Sequence, residues 1–531
     1  MAAPTTRGKL MWASFLTLIA AGMGFAVRAG ILGNWGSEFG FTQFELGKIT
    51  GFGLVGFGVV IMAASLITDH IGYKPILLGA AVLHIVSVVM TMAASAVFES
   101  FGKDATYWCL LLAMFIFAVA NGLCEAVINP LIANLYPEKK THYLNILHAG
   151  WPGGLIVGGL LGKLLIEPVG WQVPMGLYIV PVLWYGFIVL KEKFPVSDAK
   201  KAGLSFGTML AEFASPVLLV LLLLHACVGY VELGTDSWIT NITESILTGQ
   251  GLILFVYASS IMFILRFFAG PIVEHINPLG LLCISSVLGT VGLLLLSAGN
   301  SAGIIWLAVT IYGVGKTFLW PTMLGIVGER FPRGGAVTMG AIGGIGMLSA
   351  GLLGGPAIGY KQDLNASKHL KMGYPETYAR YSIEKDQEKP FLFFPKVGGL
   401  DGQKVGVILD DPPAATLTTD YGIAQAAGDI PDAIATRKKW WDEDGEPNAI
   451  VDKAPVEEAK IYGGRMALQW TAVVPAMMFV GYFMLVIVFR LQGGYKTVEI
   501  DESGERHVTD HKPTAEEAFE EGEEGPTSGQ A

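Results

Sequence analysis

Apolar residues in this chain gather in long unbroken runs, not in the strict alternation of a half-buried strand. Such runs fall at 10–34, 46–68, 75–98, 107–135, 143–166 and 173–190, and after a polar break at 213–238, 250–272, 279–298, 302–327, 336–359 and 464–490. A helix needs about 20 apolar residues to cross a bilayer, so the pattern predicts an all-α membrane protein with twelve transmembrane helices, six plus six. Residues 1–190 form the first bundle, 191–212 a basic linker, 213–359 the first five helices of the second bundle and 464–490 the twelfth helix. A polar insert, 360–463, precedes that last helix; its length and its aromatics (Tyr374, Tyr378, Tyr381, Trp440, Trp441) point to a small folded cap. The segment 491–531, rich in Glu, Gly and Ser, reads as a disordered acidic tail.

Lys and Arg set the orientation. Arg7, Lys9, Lys74, Lys139, Lys140, Lys191, Lys193, Lys200, Lys201, Arg330 and Arg333 fall on one side of the predicted membrane, against Lys48, Lys103 and Lys163 on the other. The excess of positive charge marks the cytoplasmic face, which places both termini in the cytoplasm, the insert outside, and the chain in the cytoplasmic (inner) membrane as a multi-pass protein. Residues 1–9 lack a cleavage site and read as part of a retained signal-anchor.

Composition agrees. The 531 residues are 52% hydrophobic and 15% charged, where soluble domains carry about 25% charge. The net charge of −10 gives no footprint for nucleic acid. Cys109, Cys124, Cys227 and Cys283 sit in apolar runs as small hydrophobes, so neither disulfide nor metal site is expected, and no cofactor is called for.

An internal repeat organises the chain. Thr68-Asp-His-Ile71 is echoed by Val273-Glu-His-Ile276, Gly150 and Gly158-Gly159 by Gly346 and Gly354-Gly355, and Pro130 by Pro321, all at similar offsets. Two halves of parallel topology with a binding site between them are a transporter layout.

Against this background the polar intramembrane residues stand out. Asn121, Glu125 and Asn129 lie four apart in span four and share one helix face. A carboxylate at mid-bilayer costs about 2.5–3.5 kcal/mol on insertion scales, so Glu125 is either a functional acid or the ion-pair partner of Arg28 or Lys316. The repeat sets Tyr312, Lys316 and Trp320 opposite that stripe as the second wall of a cavity, with Lys316 as a cavity charge or a counter-ion. Gly313-Val-Gly-Lys316-Thr resembles a phosphate loop, but Thr310 stands where the motif needs glycine, so a nucleotide site is rejected. Span seven places Glu232, Asp236 and His225 on one face; Glu232 is the deeper acid, while Asp236 is expected near the outer, solvated end. Asn145 and His148 are wall candidates in span five, although packing is an equal reading for the histidine. Trp35, Trp151, Trp238 and Trp320 suit either sugar stacking or interface anchoring. Asp69 and Glu274 are expected to latch the cytoplasmic gate, and Arg266 to brace Glu274 or nearby helix ends. No nucleophile–base constellation suggests an enzyme.

The segment Ser65-x-x-x-Asp69-His-x-Gly72-Tyr-Lys74 resembles the cytoplasmic loop signature of the major facilitator superfamily. Cys124-Glu-Ala-Val-Ile-Asn-Pro130, Leu144-Asn-Ile-Leu-His148, Val228–Trp238, Arg266-Phe-Phe-Ala-Gly270 and Trp320-Pro-Thr322 are similar to the fucose–proton symporter family and its sodium–glucose relatives. The resemblance covers the twelve spans but neither the insert nor the tail. It implies the major facilitator fold, two pseudo-symmetric bundles working by alternating access, with Glu125 coupling protons to substrate, Asn129 and His148 on the site wall, and Asp69, Gly72 and Lys74 in the gate. Gly33 stands where fucose permease carries an aspartate, so a two-carboxylate relay does not carry over.

The expected function is secondary active transport of a small polar solute, a sugar above all, coupled to a proton, with sodium as the other ion open. The competing readings are an organic-anion carrier, favoured by Arg28 and Lys316, and a transporter-derived sensor that binds a partner through 360–463. The partners are then the solute, the ion and the bilayer, with no nucleic acid, for a chain read as a monomer.

Overall fold

The computed structural model describes residues 4–39, 41, 43–383, 389–426, 428, 430, 432–501 and 504–509. Eleven apolar helical stretches among them have the length to cross a bilayer: Thr6–Leu32, Lys48–Ile71, Tyr73–Met92, Ala94–Leu135, Pro137–Val169, Gln172–Lys191, Pro216–Ile246, Gly251–Ala298, Ala302–Arg330, Pro332–Gly373 and Ile434–Leu491. The eighth of these is two spans. They meet at Asn277, whose φ of 55° breaks the helix. Asn277 Oδ1 then accepts the Gly280 amide at 3.0 Å, an N-cap, and Pro278 follows where the first helical position needs no donor. Twelve spans result.

The repeat seen in the residues recurs in the backbone. Gly72, one residue after the first Thr-Asp-His-Ile, has φ 91°, and Asn277 takes the equivalent place with φ 55°. Span four ends at Tyr136 and span ten at Phe331, with nearly the same dihedrals, and each passes into a short 3₁₀ turn that starts at proline, Pro137–Lys139 and Pro332–Gly334. Helices also come into backbone contact within each half. A Cβ on Gly150, Gly154 or Gly158 of span five would lie 2.6, 2.3 or 2.6 Å from a carbonyl oxygen of span one. In the other half, a Cβ on Gly229 of span seven would lie 1.9 Å from the Gly346 carbonyl of span eleven. Small residues let apolar helices gain van der Waals contact where lipid supplies no hydrophobic drive. The same two spans carry π turns, Tyr230–Gly234 and Ala350–Gly354.

The first described residues of span one, the linker and the segment after span twelve lie at one end of the bundle, here the linker end. Arg7 meets Glu138 there at 3.3 Å and Lys9 meets Glu192 at 2.8 Å. The insert occupies the opposite, cap end. Span eleven continues to Gly373 and the last helix begins at Glu446, so two long helices carry the cap. Leu370, Tyr381, Ile408, Leu417, Trp441 and Val456 form a hydrophobic core of its own. Asp452, fully buried, takes two bonds from Arg380 and one from Thr377 at 2.6–2.7 Å.

The expectation of a disordered tail from 491 is corrected for its first part. Thr497–Ile500 and Arg506–Thr509 pair as an antiparallel hairpin at the linker end. Arg506 bonds Glu212, Tyr495 bonds Glu329 at 2.6 Å, and Arg330 donates to the Lys496 carbonyl at 2.6 Å. The remainder of the tail, 510–531, lies outside the described residues.

Candidate substrate and gating site

Span four forms a continuous helix through the centre of its bundle, so the i, i+4 spacing of Asn121, Glu125 and Asn129 does align them, all three buried. The Asn129 side-chain nitrogen donates to Glu125 Oε2 at 2.6 Å, and its oxygen lies 2.9 Å from His148 Nε2. Asn121 Oδ1 is 3.1 Å from His84 Nε2, while His84 Nδ1 is 3.0 Å from the Tyr185 hydroxyl. Glu125 therefore pairs with neither Arg28 nor Lys316.

The chain of contacts crosses to the other half through Arg266. This buried guanidinium donates to the His148 carbonyl at 2.5 Å, to the Thr317 carbonyl at 2.8 Å and to Glu232 Oε1 at 2.8 Å. The expected brace on Glu274 is not formed; Glu274 faces Lys139 at 3.5 Å. The reason is depth. Arg266 lies within span eight, ahead of the turn that leads to Glu274, and a buried cation takes the nearest buried carboxylate. Spans four, five, eight and seven are thus joined by one polar path, Glu125–Asn129–His148–Arg266–Glu232, to which the Thr317 carbonyl ties span ten at Arg266.

The second wall is built differently from the expectation. Lys316, buried, bonds Asp236, whose side chain is 10% exposed, so that carboxylate is paired and not simply solvated. The Lys316 ammonium also sits 5.3 Å from the Tyr312 ring. The Tyr312 hydroxyl donates to the Val231 carbonyl at 2.7 Å, and Trp320 packs on His225 with ring centres 4.6 Å apart. This stripe faces span seven, not Glu125. Arg28 stays within the first half: it lies 3.9 Å over the Phe117 ring and 5.4 Å from Tyr178, and donates to Ser87 at 2.8 Å. The guanidinium and the Tyr178 hydroxyl are buried side by side. Asn145 reaches Thr322 across the halves at 3.3 Å.

Asp69, Gly72 and Lys74, expected in the gate, lie at the linker end. Asp69 Oδ2 accepts the Ala336 amide at 3.2 Å, at the N-terminus of span eleven, where a carboxylate meets the positive end of the helix dipole. Lys74 donates to the Leu190 and Glu192 carbonyls and so caps the C-terminus of span six. Gly72 supplies the left-handed turn between Asp69 and Lys74. Further links between the halves run from Lys140 to the Gly328 carbonyl at 3.1 Å, from Thr141 to Glu329, and from the Gly270 amide to His142 at 3.0 Å. A cavity of about 50 Å³ lies among Asp69, Asn134, Lys140, Asp198 and Gly335. Glu329, Thr141, His142 and His84 were not singled out from the sequence.

These features define a two-bundle membrane transporter closed at its linker end. The chain belongs to the Major Facilitator Superfamily, whose sequence profile matches residues 14–355. A cis,cis-muconate transport protein of Acinetobacter baylyi is 26% identical over 171 residues, 32% of this chain and 39% of that protein, so the match spans less than half of the relative. The E. coli fucose:proton symporter FucP superposes with a TM-score of 0.56 at 14% identity, covering 88% of this chain and 98% of that one. The proton:xylose symporter XylE does so with a TM-score of 0.59 at 14% identity, covering 70% and 91%. At such identities the likeness speaks for the fold.

Proposed function

We propose that this transporter is a proton-coupled symporter of a small polar solute, a sugar above all, with Glu125 as the proton carrier. One observation carries the reading. Among the described residues, Glu232 faces Arg266 and Asp236 faces Lys316, whereas Glu125 has an amide, Asn129, and no cation as its partner. A buried carboxyl without a counter-charge costs far less when it holds a proton, so its protonation can be tied to the movement of the halves. Asn129, His148, Asn121 and Asn145 supply the hydrogen-bonding wall a polyol needs, and the Asn145–Thr322 contact is lost when spans five and ten separate. In this scheme both termini lie in the cytoplasm, the cap faces outward and the chain acts alone in the inner membrane.

The test is uptake into proteoliposomes under an imposed proton gradient. Glu125→Gln is expected to lose uphill accumulation while keeping solute exchange; a variant that still concentrates solute would sink the coupling role.

An organic anion is the second reading. It rests on the likeness to a muconate transport protein and on Arg28, a buried guanidinium set against the Phe117 ring and Ser87. A carboxylate is the group that guanidinium would take. Competition separates the two: inhibition of uptake by dicarboxylates but not by neutral sugars selects the anion.

A further inference from the structure

The cap carries a hairpin whose chemistry does not suit water. Lys389–Phe391 and Phe394–Val397 pair with Phe391 opposite Phe394, which leaves Leu392 and Phe393 as a two-residue turn. Such turns favour Gly, Asn or Asp, because their central residues take positive φ. Here Leu392 adopts φ 52°. Leu392 and Phe393 are 63% and 86% exposed. A large apolar pair at a conformationally costly tip, pointing away from the protein, calls for an apolar environment.

The position of the hairpin identifies that environment. Tyr360 of span eleven packs beside the rings of Phe391 and Phe394, at 5.9 and 5.7 Å, and its hydroxyl donates to the Pro395 carbonyl at 2.9 Å. The neighbouring Lys361 ammonium lies 4.8 Å from the Phe394 ring and 4.4 Å from the Trp470 ring. Trp470 begins the outward, lipid-facing side of the last helix, followed by exposed Val473 and Met477. From Trp470 to the helix end at Leu491 the rise is about 32 Å, close to the ~30 Å hydrocarbon thickness. With Leu491 at the linker-end boundary, Trp470 falls at the other. Tyr, Trp and Lys are the residue types that anchor at that level. The hairpin therefore hangs at the lipid interface, in continuity with the apolar belt of span twelve.

We propose that Leu392 and Phe393 insert into the lipid leaflet at the cap end, beside span twelve, and moor the cap to the bilayer surface. The partner is phospholipid: acyl carbon just below the headgroups for the two apolar side chains, with Lys361 at headgroup level. The mooring fixes the cap to the end of span eleven, which is itself one of the helices at the seam between the halves.

Photolabelling of the full chain tests this. The protein is reconstituted into phosphatidylcholine nanodiscs doped with a phospholipid that carries a diazirine near the glycerol end of one acyl chain, irradiated and mapped by mass spectrometry. The expected result is adducts on the 389–397 peptide at a yield matching the peptide that begins span twelve at Trp470, with none on the peptide around Ile450, which is 98% exposed on the cap. Leu392→Glu combined with Phe393→Glu should abolish the 389–397 adducts and leave those of span twelve. Labelling confined to span twelve in the unsubstituted protein overturns the proposal.

Discussion

Arg266 of span eight donates to the main-chain carbonyl of His148 in span five, at 2.5 Å, while the same guanidinium holds Glu232 of span seven at 2.8 Å. The first bond crosses the two halves; the second lies within one. When the linker end opens, spans five and eight must part and only the first is lost. The Glu232 pair then keeps the cation compensated in both states, so the gate is able to cycle without stranding a buried charge.

Removing that compensation gives the first prediction. Leaving one member of a buried ion pair alone costs about 3–5 kcal/mol. Arg266→Ala is therefore expected to lower the melting temperature of the purified transporter strongly, because Glu232 is left buried beside apolar groups. Adding Glu232→Gln to Arg266→Ala should recover part of the loss. A double variant no more stable than Arg266→Ala would show that the pair is not coupled.

At the gate, Asp69 supplies a prediction about population. Its carboxylate meets the first amides of span eleven, an interaction worth up to ~2 kcal/mol in a partly buried setting. Asp69→Asn keeps an acceptor oxygen but loses the charge, so the closed linker end should become less favoured. A cysteine placed at Ala133, on the wall of the gate cavity, is expected to react several-fold faster with a water-soluble maleimide in the Asp69→Asn background. Equal rates in the two backgrounds would remove Asp69 from the latch.

The spans, the repeat and the buried stripe of Asn121, Glu125 and Asn129 were legible in the sequence because each rests on spacing along one helix. The partners were not. Whether Arg266 meets Glu274 or Glu232, and whether Asp236 meets solvent or Lys316, depends on how each helix is rotated about its axis, which the run of apolar residues leaves open. Span eight is apolar nearly all round, so its sequence gives no face to the membrane and none to the core. The hairpin at 497–509 was hidden for another reason. Two strands alone are marginal in water, and this pair is held by Glu212 and Glu329, far away in sequence. The insert aromatics signalled packing but gave no hint that Phe391 and Phe394 would stack on each other beside Tyr360.

Close helix contact yields a third prediction. A Cβ at Gly229 would lie 1.9 Å from the Gly346 carbonyl, where only backbone can yield. Overpacking of a tight interface costs about 1–3 kcal/mol, so Gly229→Ala should destabilise the protein and slow uptake by pushing span seven from span eleven. Gly79 has no atom near its Cβ position, and Gly79→Ala is expected to behave like the parent. Similar melting temperatures for the two variants would place the seven–eleven contact outside the structure's tight spots.

The last prediction separates a counter-ion from a substrate ligand. Lys316 is almost wholly buried and bonds Asp236, and a lysine committed to a carboxylate has no charge to spare for solute. Asp236→Asn alone should strand the ammonium and cut both stability and transport. Lys316→Met combined with Asp236→Leu replaces the pair with apolar groups of similar bulk, a change that is often neutral when both charges go together. Transport by the double variant is expected to approach the parent, with an unaltered KM for solute. If the double variant is stable yet its KM rises as far as that of Lys316→Met alone, the ammonium touches substrate during the cycle, and the anion reading gains a second basic residue beside Arg28.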